Sequence, residues 1–428
     1  MIIIDKKLEE LKNNSQLIRV GLVGAGFAAK GFMLQLITST PGMKLSAVSN
    51  RTIDTAEEAL KELNASPIRR ADNQNDLDSA IKSGEYVITD NPMLLCNSSY
   101  IDAIVDATGE VEFGAKVAME AIKNKKHIVL INAELDATLG PILKKYADAA
   151  GVIYTQGDGD QPAVLMNLIR EVKMWGFKPI LAGNIKSLID ARRTPETQKA
   201  FAEAHFQRPK MITSFADGTK IAMEMATIGN AVGFGVGKRG MFGHRCERVE
   251  QAVNLFPFEE IKDRPIVDYI LGAEPSFGVF VLAYSEHPIK QRYMKVYKMG
   301  NGPVYTFYRP YHLSPIETPA SVARAVLMKD ATLAPVGRPF CDVITLAKKD
   351  LKKGEVLDGI GGFTCYGVIE NYDVSLKENL LSMGLTDGCV LKRDIKQDEV
   401  ITYADVERPD GRLSDKLREE QTKHFKNG

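Results

Sequence analysis

The segment from Ile18 to Arg51 constrains the fold of this chain most strongly. It begins with an apolar stretch, Ile18 to Val23, which predicts a buried strand and runs directly into Gly24 to Ala29. The latter residues match the pattern G-x-G-x-x-G/A, in which the first glycine permits a tight turn and the second leaves room for a pyrophosphate. The N–H groups at the start of the next helix would face the phosphate charge. The segment therefore predicts a dinucleotide site rather than an ordinary glycine turn.

The end of the second predicted strand indicates which dinucleotide is bound. NAD enzymes usually carry a carboxylate there, whereas this chain has Ser49-Asn50-Arg51. Because a guanidinium can pair with a 2′-phosphate, we expect NADP(H) to be favoured over NAD(H). The alternative is that Arg51 is a solvated loop residue. The predicted cofactor-binding residues are Gly24, Gly26, Phe27, Ala28, Ala29, Asn50, Arg51, Thr108, Gly109 and Asn132.

Composition excludes several functional classes. The chain has 428 residues, with 55 basic and 55 acidic side chains, so no overall field favours nucleic acid or an anionic membrane surface. The first residues form too short an apolar run for a signal peptide, and we expect a cytoplasmic protein with a small-molecule substrate. The 5 cysteines are scattered and predict reduced thiols rather than a zinc site or disulfide framework.

Predicted strands and helices alternate as far as Tyr154, which favours an α/β fold with a doubly wound parallel sheet, the Rossmann arrangement. Ligands bind beyond the carboxyl ends of such strands. Three loops are expected at that edge: Asp106 to Gly109, Asn132 to Glu134, and Gln156 to Pro162. We assign residues 1–155 to this domain.

The middle of the chain, residues 156–335, predicts an α+β substrate domain. The stretches Pro179 to Lys186, Ser276 to Ala283 and Tyr293 to Tyr308 resemble strands of an open antiparallel sheet, the last interrupted by a hairpin turn. A helix predicted over Pro315 to Leu327 could return to the first domain.

Residues 336–428 predict a small β-rich module. Ala347 to Asp358 is echoed by Leu391 to Thr402, and this repeat predicts two half-modules packed with pseudo-twofold symmetry. The polar residues from Arg408 to Gly428 are expected to form a solvated helix or tail.

Two carboxylates in the loop after Tyr154 are the first chemical candidates. Asp158 and Asp160 could hold Mg²⁺ or Mn²⁺, or bind a substrate hydroxyl. The alternative is a turn in which Asp160 caps the next helix. Glu134 lies at the same predicted edge, one strand earlier, and joins the catalytic candidates.

A predicted helix over Asp217 to Met225 supplies the second group. At about 100° per residue, Asp217, Lys220 and Glu224 fall on one stripe of a helix that is otherwise mostly small or apolar. Such charges are expected to be buried together or to line a cavity, for catalysis or as a structural cluster. Lys186, at the end of a predicted strand, is added to the catalytic candidates.

Basic side chains supply the third group. Arg309 and His312 follow a predicted strand, and Arg192 lies in a second basic stretch. These residues suit a phosphate or carboxylate on a small substrate, although an exposed loop arginine is the simpler explanation for either arginine alone.

These motifs together resemble NADP-dependent oxidoreductases related to homoserine dehydrogenase that carry a C-terminal SAF module, the 1-deoxy-D-xylulose 5-phosphate reductoisomerase-like (DRL) family. The resemblance rests on Gly24 to Ala29, Asn132 to Asp136 with Gly140-Pro141, Gly157 to Pro162, Asp217 to Met225, Arg309 to Leu313 and Lys348 to Asp358. It implies a homodimer of three-domain subunits, in which residues 156–335 form the catalytic domain and carry the dimer contacts. The Asp-x-x-Lys helix of homoserine dehydrogenases corresponds to Asp217 and Lys220.

Taken with that resemblance, the sequence predicts an NADP-dependent oxidoreductase of a small phosphorylated or carboxylated hydroxy-carbonyl compound. A reductoisomerase would need a divalent metal near Asp158 and Asp160, whereas a plain hydroxy-acid dehydrogenase would not. A non-enzymatic NADP sensor is the third alternative, although a sensor has no evident need for the charged stripe.

Overall fold

A computed structural model of the chain describes residues 4–426. Its α-helices are α1 (Ile4–Asn13), α2 (Phe27–Thr38), α3 (Ile53–Glu62), α4 (Gln74–Lys82), α5 (Pro92–Asn97), α6 (Val111–Lys123), α7 (Ala133–Ala150), α8 (Gln161–Met174), α9 (Lys199–Ala204), α10 (Pro209–Ala216), α11 (Thr219–Val232), α12 (Phe258–Ile261), α13 (Pro288–Val296), α14 (Thr318–Ala323), α15 (Tyr372–Lys377) and α16 (Leu413–Phe425). Its strands are β1 (Ile18–Val23), β2 (Met43–Ser49), β3 (Ile68–Arg70), β4 (Tyr86–Thr89), β5 (Ala103–Asp106), β6 (His127–Leu130), β7 (Tyr154–Gln156), β8 (Lys178–Lys186), β9 (His244–Arg245), β10 (Ile266–Leu271), β11 (Gly278–Tyr284), β12 (Val304–Arg309), β13 (Cys341–Ala347), β14 (Cys365–Asn371), β15 (Val390–Leu391) and β16 (Val406–Glu407).

The described residues form two compact units. The first contains residues 4–160, 313–334 and 413–424, and the second contains residues 161–312, 335–412 and 425–426. Residues 313–334 therefore return to the first unit, as predicted for this part of the chain. An independent third domain over residues 336–428 stays a prediction. None of the helices within residues 4–426 is long and apolar enough to cross a membrane.

The first unit is built on the predicted parallel sheet. Its 7 strands lie in the order β3-β4-β2-β1-β5-β6-β7, and all neighbouring pairs are parallel. The strand order changes direction between β1 and β5, which places the topological switch point at the carboxyl ends of these two strands. Because the sheet is covered on both faces, β1 is an almost fully buried apolar run.

Helix α7 contains a proline, and the C-terminal helix of the same unit compensates for it. Pro141 has no N–H group and distorts the local helical hydrogen bonds. The N–H of Ile142 donates to Oε1 of Gln421 over 3.2 Å. The carbonyl of Thr138 accepts from Arg418 at 3.1 Å and from Nε2 of Gln421 at 3.3 Å.

The expectation of a solvated tail is therefore wrong for one face of α16. Leu417, Arg418 and Gln421 are buried, although the helix is strongly polar in sequence. The polar side chains are inside because they satisfy the backbone groups left by a distant proline. The last two residues of the predicted tail, 427–428, lie outside the described residues.

The second unit contains a mixed sheet rather than a purely antiparallel one. Its 5 strands lie in the order β12-β11-β8-β10-β9. Strand β11 is antiparallel to β8 and β12, whereas β10 is parallel to β8 and β9. The central position of β8 fixes its backbone on both sides.

The predicted strand over Tyr293 to Tyr308 is wrong in its first part. Pro288 opens α13, in which Ile289, Tyr293 and Val296 recur at helical spacing, and only β12 is a strand. A proline at the first helical position favours this start because its missing N–H would have no helical partner. Strand β12 pairs with β11, so the predicted hairpin within this stretch does not form.

The internal repeat near the C-terminus is confirmed. Leu351 and Ile395, which occupy equivalent positions, exchange backbone hydrogen bonds of 2.8 and 3.0 Å. Two ion pairs connect the repeats in the same reciprocal way. Lys352 of the first repeat contacts Asp394 of the second at 2.8 Å, and Lys396 of the second contacts Asp350 of the first at 2.9 Å. These reciprocal contacts are what pseudo-twofold packing of two half-modules requires.

Replacing Gln421 by leucine should destabilise the first unit. The change leaves the buried N–H of Ile142 without its acceptor, at an expected cost of about 1 to 3 kcal/mol in the free energy of unfolding. Denaturant unfolding of the full chain measures this cost. Lys423→Leu, on the exposed side of the same helix, is the matched control. Equal stability of both variants and the parent would contradict the role of Gln421.

Candidate functional site

Each compact unit carries its own group of predicted site residues. In the first unit, the loop after β1 has the backbone that the glycine pattern requires. Gly24 has a φ of +112°, and a Cβ added there would lie 2.9 Å from the carbonyl oxygen of Ala107. A Cβ added at Gly26 would meet nothing within 4 Å. Gly24 is therefore required by the turn itself, whereas Gly26 leaves open space beside the backbone.

The start of α2 suits an anionic ligand. Gly26 is its N-cap, no side chain caps the helix, and the first turn contains no acidic residue. The first N–H groups of a helix lack partners within the helix and attract negative charge. Phe27 is exposed, Ala28 is half-buried, and Ala29 is fully buried. These residues fit the pyrophosphate of a nicotinamide dinucleotide.

The residues after β2 lie where the sequence predicts the adenosine ribose. Ser49 is buried, and Asn50 donates a side-chain hydrogen bond of 2.8 Å to the carbonyl of Thr52. Arg51 is exposed, and no carboxylate occupies residues 49–52. The local composition suits a 2′-phosphate, and the NADP preference stays a prediction.

A buried network joins the ends of β5 and β6, and it includes a carboxylate that the sequence did not single out. Asp106 accepts hydrogen bonds from Oγ1 of Thr108 at 2.6 Å and from Nδ2 of Asn132 at 2.8 Å. Burial raises the pKa of Asp106, and these two donors oppose the rise. Oδ1 of Asn132 accepts from the N–H of Leu135 at 3.0 Å and so caps α7.

This network assigns a structural task to two predicted cofactor residues. Asn132 is fully buried and orients Asp106, while Thr108 is half-buried beside Gly109, whose φ is +69°. The network therefore shapes the loops at the carboxyl ends of the strands. Direct contact of Thr108, Gly109 or Asn132 with a cofactor stays a prediction. Glu134, in the first turn of α7, is also buried.

The carboxylates of Asp158 and Asp160 lie in a loop fastened by α14. The N–H of Asp158 donates to Oγ of Ser321 at 2.7 Å, and its carbonyl accepts from Oγ1 of Thr318 at 3.0 Å. Asp158 is 9% exposed and Asp160 is 8% exposed. Among residues 4–426, no group of three or more His, Cys, Asp or Glu side chains is arranged to hold a metal ion. Their role as Mg²⁺ or Mn²⁺ ligands stays a prediction.

In the second unit, Asp217 does not belong to the helical stripe. Gly218 has a φ of +92°, α11 begins at Thr219, and the N–H of Thr219 donates to Asp217 at 2.9 Å. The Asp217 carboxylate instead pairs with Nζ of Lys348 at 2.8 Å. A glycine in this conformation separates α10 from α11, so the spacing of a continuous helix does not apply across it.

Asp217 and Lys348 form a buried ion pair in which the ammonium makes three hydrogen bonds within the protein. Nζ of Lys348 also donates to the carbonyls of Arg193 and Gly362, both at 2.8 Å. Burial raises the pKa of Asp217, and the charge of Lys348 opposes the rise. Of the two predicted roles, catalysis or a structural cluster, the structural one accounts for the surroundings of Asp217. No local pattern in the sequence indicates that Lys348 is its partner.

The other two stripe residues are buried, as predicted. Every residue of α11 from Thr219 to Ala231 is buried, including Lys220 and Glu224. Oε2 of Glu224 lies 3.8 Å from Nζ of Lys186, at the end of β8. The structure thus joins Lys186 and Glu224, and Lys220 is one helical turn from Glu224.

Asn184 lies on the same face of β8 as Lys186, because side chains two residues apart in a strand point the same way. A second series of polar contacts starts at Asn184. Nδ2 of Asn184 donates to Oε1 of Gln161, and Nε2 of Gln161 lies 3.0 Å from Nε2 of His312. The His312 ring stacks on Phe277 with 4.2 Å between ring centroids. Asn184 and Gln161 were not predicted; the available signal was an asparagine inside an apolar strand.

The two arginines have different surroundings. Arg192 donates to the carbonyl of Lys348 at 3.0 Å and pairs with Asp398. The guanidinium of Arg309 lies 4.3 Å from the centre of the Tyr311 ring. Arg192 is therefore engaged by the repeat-containing segment. Substrate binding by either arginine stays a prediction.

The segment with most of these second-unit residues resembles a known catalytic domain. Residues 159–318 match the family model described as oxidoreductase DRL, catalytic domain. The match covers less than half of the 428 residues and includes Gln161, Lys186, Lys220 and His312. The chain matches no curated protein sequence.

Solved structures show weak similarity. Myo-inositol dehydrogenase from Lactobacillus casei shares 12% identity over 75% of this chain and 89% of its own, with a TM-score of 0.42. Biliverdin reductase from Synechocystis shares 14% identity over 62% and 67%, with a TM-score of 0.32. YvaA from Bacillus subtilis shares 16% identity over 41% of this chain and 46% of its own, with a TM-score of 0.29. With TM-scores below 0.5, these similarities carry no conclusion about fold or function.

Exchanging the two loop glycines for alanine should separate turn geometry from ligand space. Gly24→Ala should lower the melting temperature, since its φ alone costs about 1 to 3 kcal/mol. Gly26→Ala has room for its Cβ and should melt like the parent, yet weaken nicotinamide dinucleotide binding by about tenfold or more, or 1.4 kcal/mol. Thermal melting and a cofactor titration on the same samples measure both effects. Normal binding by a well-folded Gly26→Ala variant would show that the pyrophosphate does not lie at Gly26.

Proposed function

We propose that this protein is an NADP-dependent oxidoreductase that transfers hydride to or from a carbon bearing oxygen in a small substrate. The observation that carries the proposal is the loop from Gly24 to Ala29, in which a positive-φ glycine forms the turn and open space lies beside Gly26. The similarity of residues 159–318 to an oxidoreductase catalytic domain supports the same activity. The buried basic and acidic side chains of the second unit supply groups for the chemistry.

The residues of this chain would stabilise negative charge on the substrate and donate a proton to it during the reaction. When bound, the nicotinamide supplies or accepts the hydride. The substrate oxygen gains negative charge during reduction, and a buried ammonium stabilises such charge more strongly than one in water. Lys220 on α11 is the proposed proton donor to this oxygen, with Lys186 as the neighbouring cation. Glu224, 3.8 Å from Lys186, keeps that ammonium in place by charge attraction.

Arg309 and His312 are the proposed substrate-binding residues. A guanidinium recognises carboxylate or phosphate through paired hydrogen bonds, which favours a phosphorylated or carboxylated substrate. Both residues belong to the segment that resembles an oxidoreductase catalytic domain. A metal-assisted rearrangement at Asp158 and Asp160 is supported only by the low exposure of the two carboxylates, so the proposal is limited to hydride transfer.

Replacing Arg51 by alanine tests the choice of cofactor. Only NADP(H) has a 2′-phosphate for the guanidinium, so its binding should weaken by about 1.5 to 3 kcal/mol while NAD(H) binding changes little. Titrations of both cofactors measure the difference. Arg69→Ala removes an exposed arginine that pairs with Glu85 in the same unit and serves as the control. Equal weakening for both cofactors in Arg51→Ala would exclude recognition of the phosphate.

Replacing two buried lysines by methionine tests the catalytic assignment. Lys220→Met should retain NADPH binding but lower kcat by about 100-fold or more, because it removes a group that acts on the transition state. Lys348→Met should leave Asp217 buried without its ion-pair partner and lower stability by about 3 to 5 kcal/mol.

Melting temperature and turnover should be measured on the same samples, after a screen has supplied a substrate. The screen offers hydroxy acids with NADP⁺, which accepts the hydride, and sugar phosphates with NADPH, which donates it. Full turnover per folded molecule in Lys220→Met would remove this lysine from the catalytic set. Binding of NADPH without turnover of any compound in the screen would favour the sensor alternative.

A further inference from the structure

We propose that two buried amides, Asn184 and Gln161, hold His312 as a neutral imidazole that carries its proton on Nδ1. All three residues belong to the second unit. The placement of His312 at the substrate rests on the proposed function. The hydrogen-bond chain that fixes its proton does not, since it is a property of the protein alone.

The first link is held by the centre of the sheet. Asn184 is fully buried in β8, with Tyr269 of β10 and Val279 of β11 as its register neighbours. Its Nδ2 donates to Oε1 of Gln161. Its Oδ1 is buried and has no hydrogen-bond partner within residues 4–426. The sheet thus sets the position from which Asn184 donates to Gln161.

The second link is Gln161, whose amide accepts a hydrogen bond on one side and donates one on the other. Gln161 is the first residue of α8 and is buried. A primary amide has one oxygen acceptor and one NH₂ donor. Because the oxygen of Gln161 accepts from Asn184, the group that faces His312 at 3.0 Å is the NH₂. Nε2 of His312 must then act as the acceptor, and a neutral imidazole with a lone pair on Nε2 has its proton on Nδ1.

Stacking also restricts the orientation of the His312 ring. Phe277 stacks on the face of the His312 ring with an interplanar angle of 26°. The two ring nitrogens lie on the edge of the ring and take no part in this stacking. A doubly protonated ring would place its Nε2–H against the NH₂ of Gln161, donor against donor. The amide chain therefore opposes formation of the imidazolium.

This arrangement narrows the chemistry of the substrate. A neutral His312 carries no positive charge, so it does not form an ion pair with an anionic group of the substrate. The anionic group is then left to Arg309, so the two residues read different parts of one molecule. Asn184 and Gln161 are positioning residues, because they act only through the ring of His312.

The tautomer can be measured without substrate or cofactor. The full-length protein is labelled with ¹⁵N-histidine, and long-range ¹H–¹⁵N spectra at alkaline pH report which ring nitrogen carries the proton. The His312→Gln variant assigns the signals. We expect the Nδ1–H form for His312. An Nε2–H form, or an imidazolium that persists at alkaline pH, would overturn the proposal.

Two variants test whether the amides are the cause. Gln161→Glu replaces the donor with an acidic group, so Nε2 of His312 should become protonated. Gln161→Met removes the link while keeping length, and the two tautomers should then mix, which keeps the test decisive if Gln161→Glu does not fold. Gln16→Glu adds the same charge at an exposed position and should leave the spectrum unchanged.

An unaltered Nδ1–H signal in both Gln161 variants would show that the chain does not set the tautomer. This result for the tautomer can be told apart from failure of the proposed function. An absence of cofactor binding or turnover would reject the function and leave these spectra as they are.

Discussion

The burial of α11 is the constraint on which the second unit depends. The helix contacts α8, β8, β10, β13 and β14, and no face of it is left to water from Thr219 to Ala231. Charged groups in such a place must be compensated by the protein, because an unpaired buried charge is costly. Glu224 meets this requirement with Lys186. Just before the helix, Asp217 meets it with Lys348, so one helix joins the mixed sheet to the repeat-containing segment.

The first unit obeys the same rule through hydrogen bonds. Pro141 leaves backbone groups of α7 without their helical partners, and Gln421, about 280 residues further along the chain, supplies both a donor and an acceptor. Asp106 is buried at the end of β5 and is held by Thr108 and Asn132. Buried polar groups thus bring together residues that are far apart in sequence, and they shape the loops at the edge of the sheet.

The two groups of site residues differ in their chemical character. Residues Gly24 to Ala29 combine a strained turn, open space and a helix N-terminus, which together suit a pyrophosphate. The second unit contains the buried Lys220, the pair formed by Lys186 and Glu224, and a histidine that stacks on Phe277 and lies 3.0 Å from Gln161. Electrostatic groups of this kind act most strongly when water is excluded.

The sequence by itself determined the parallel sheet, the glycine loop, the burial of Lys220 and Glu224, and the internal repeat. These features follow from local patterns: apolar periodicity, required backbone conformations and spacing along one helix. Tertiary structure alone decided that Lys348 pairs with Asp217, that Asn184 reaches His312 through Gln161, and that α16 has a buried polar face. Each of these contacts satisfies a buried polar group with a residue from a distant part of the chain. No local pattern encodes that choice, because the partner is set by which elements pack together.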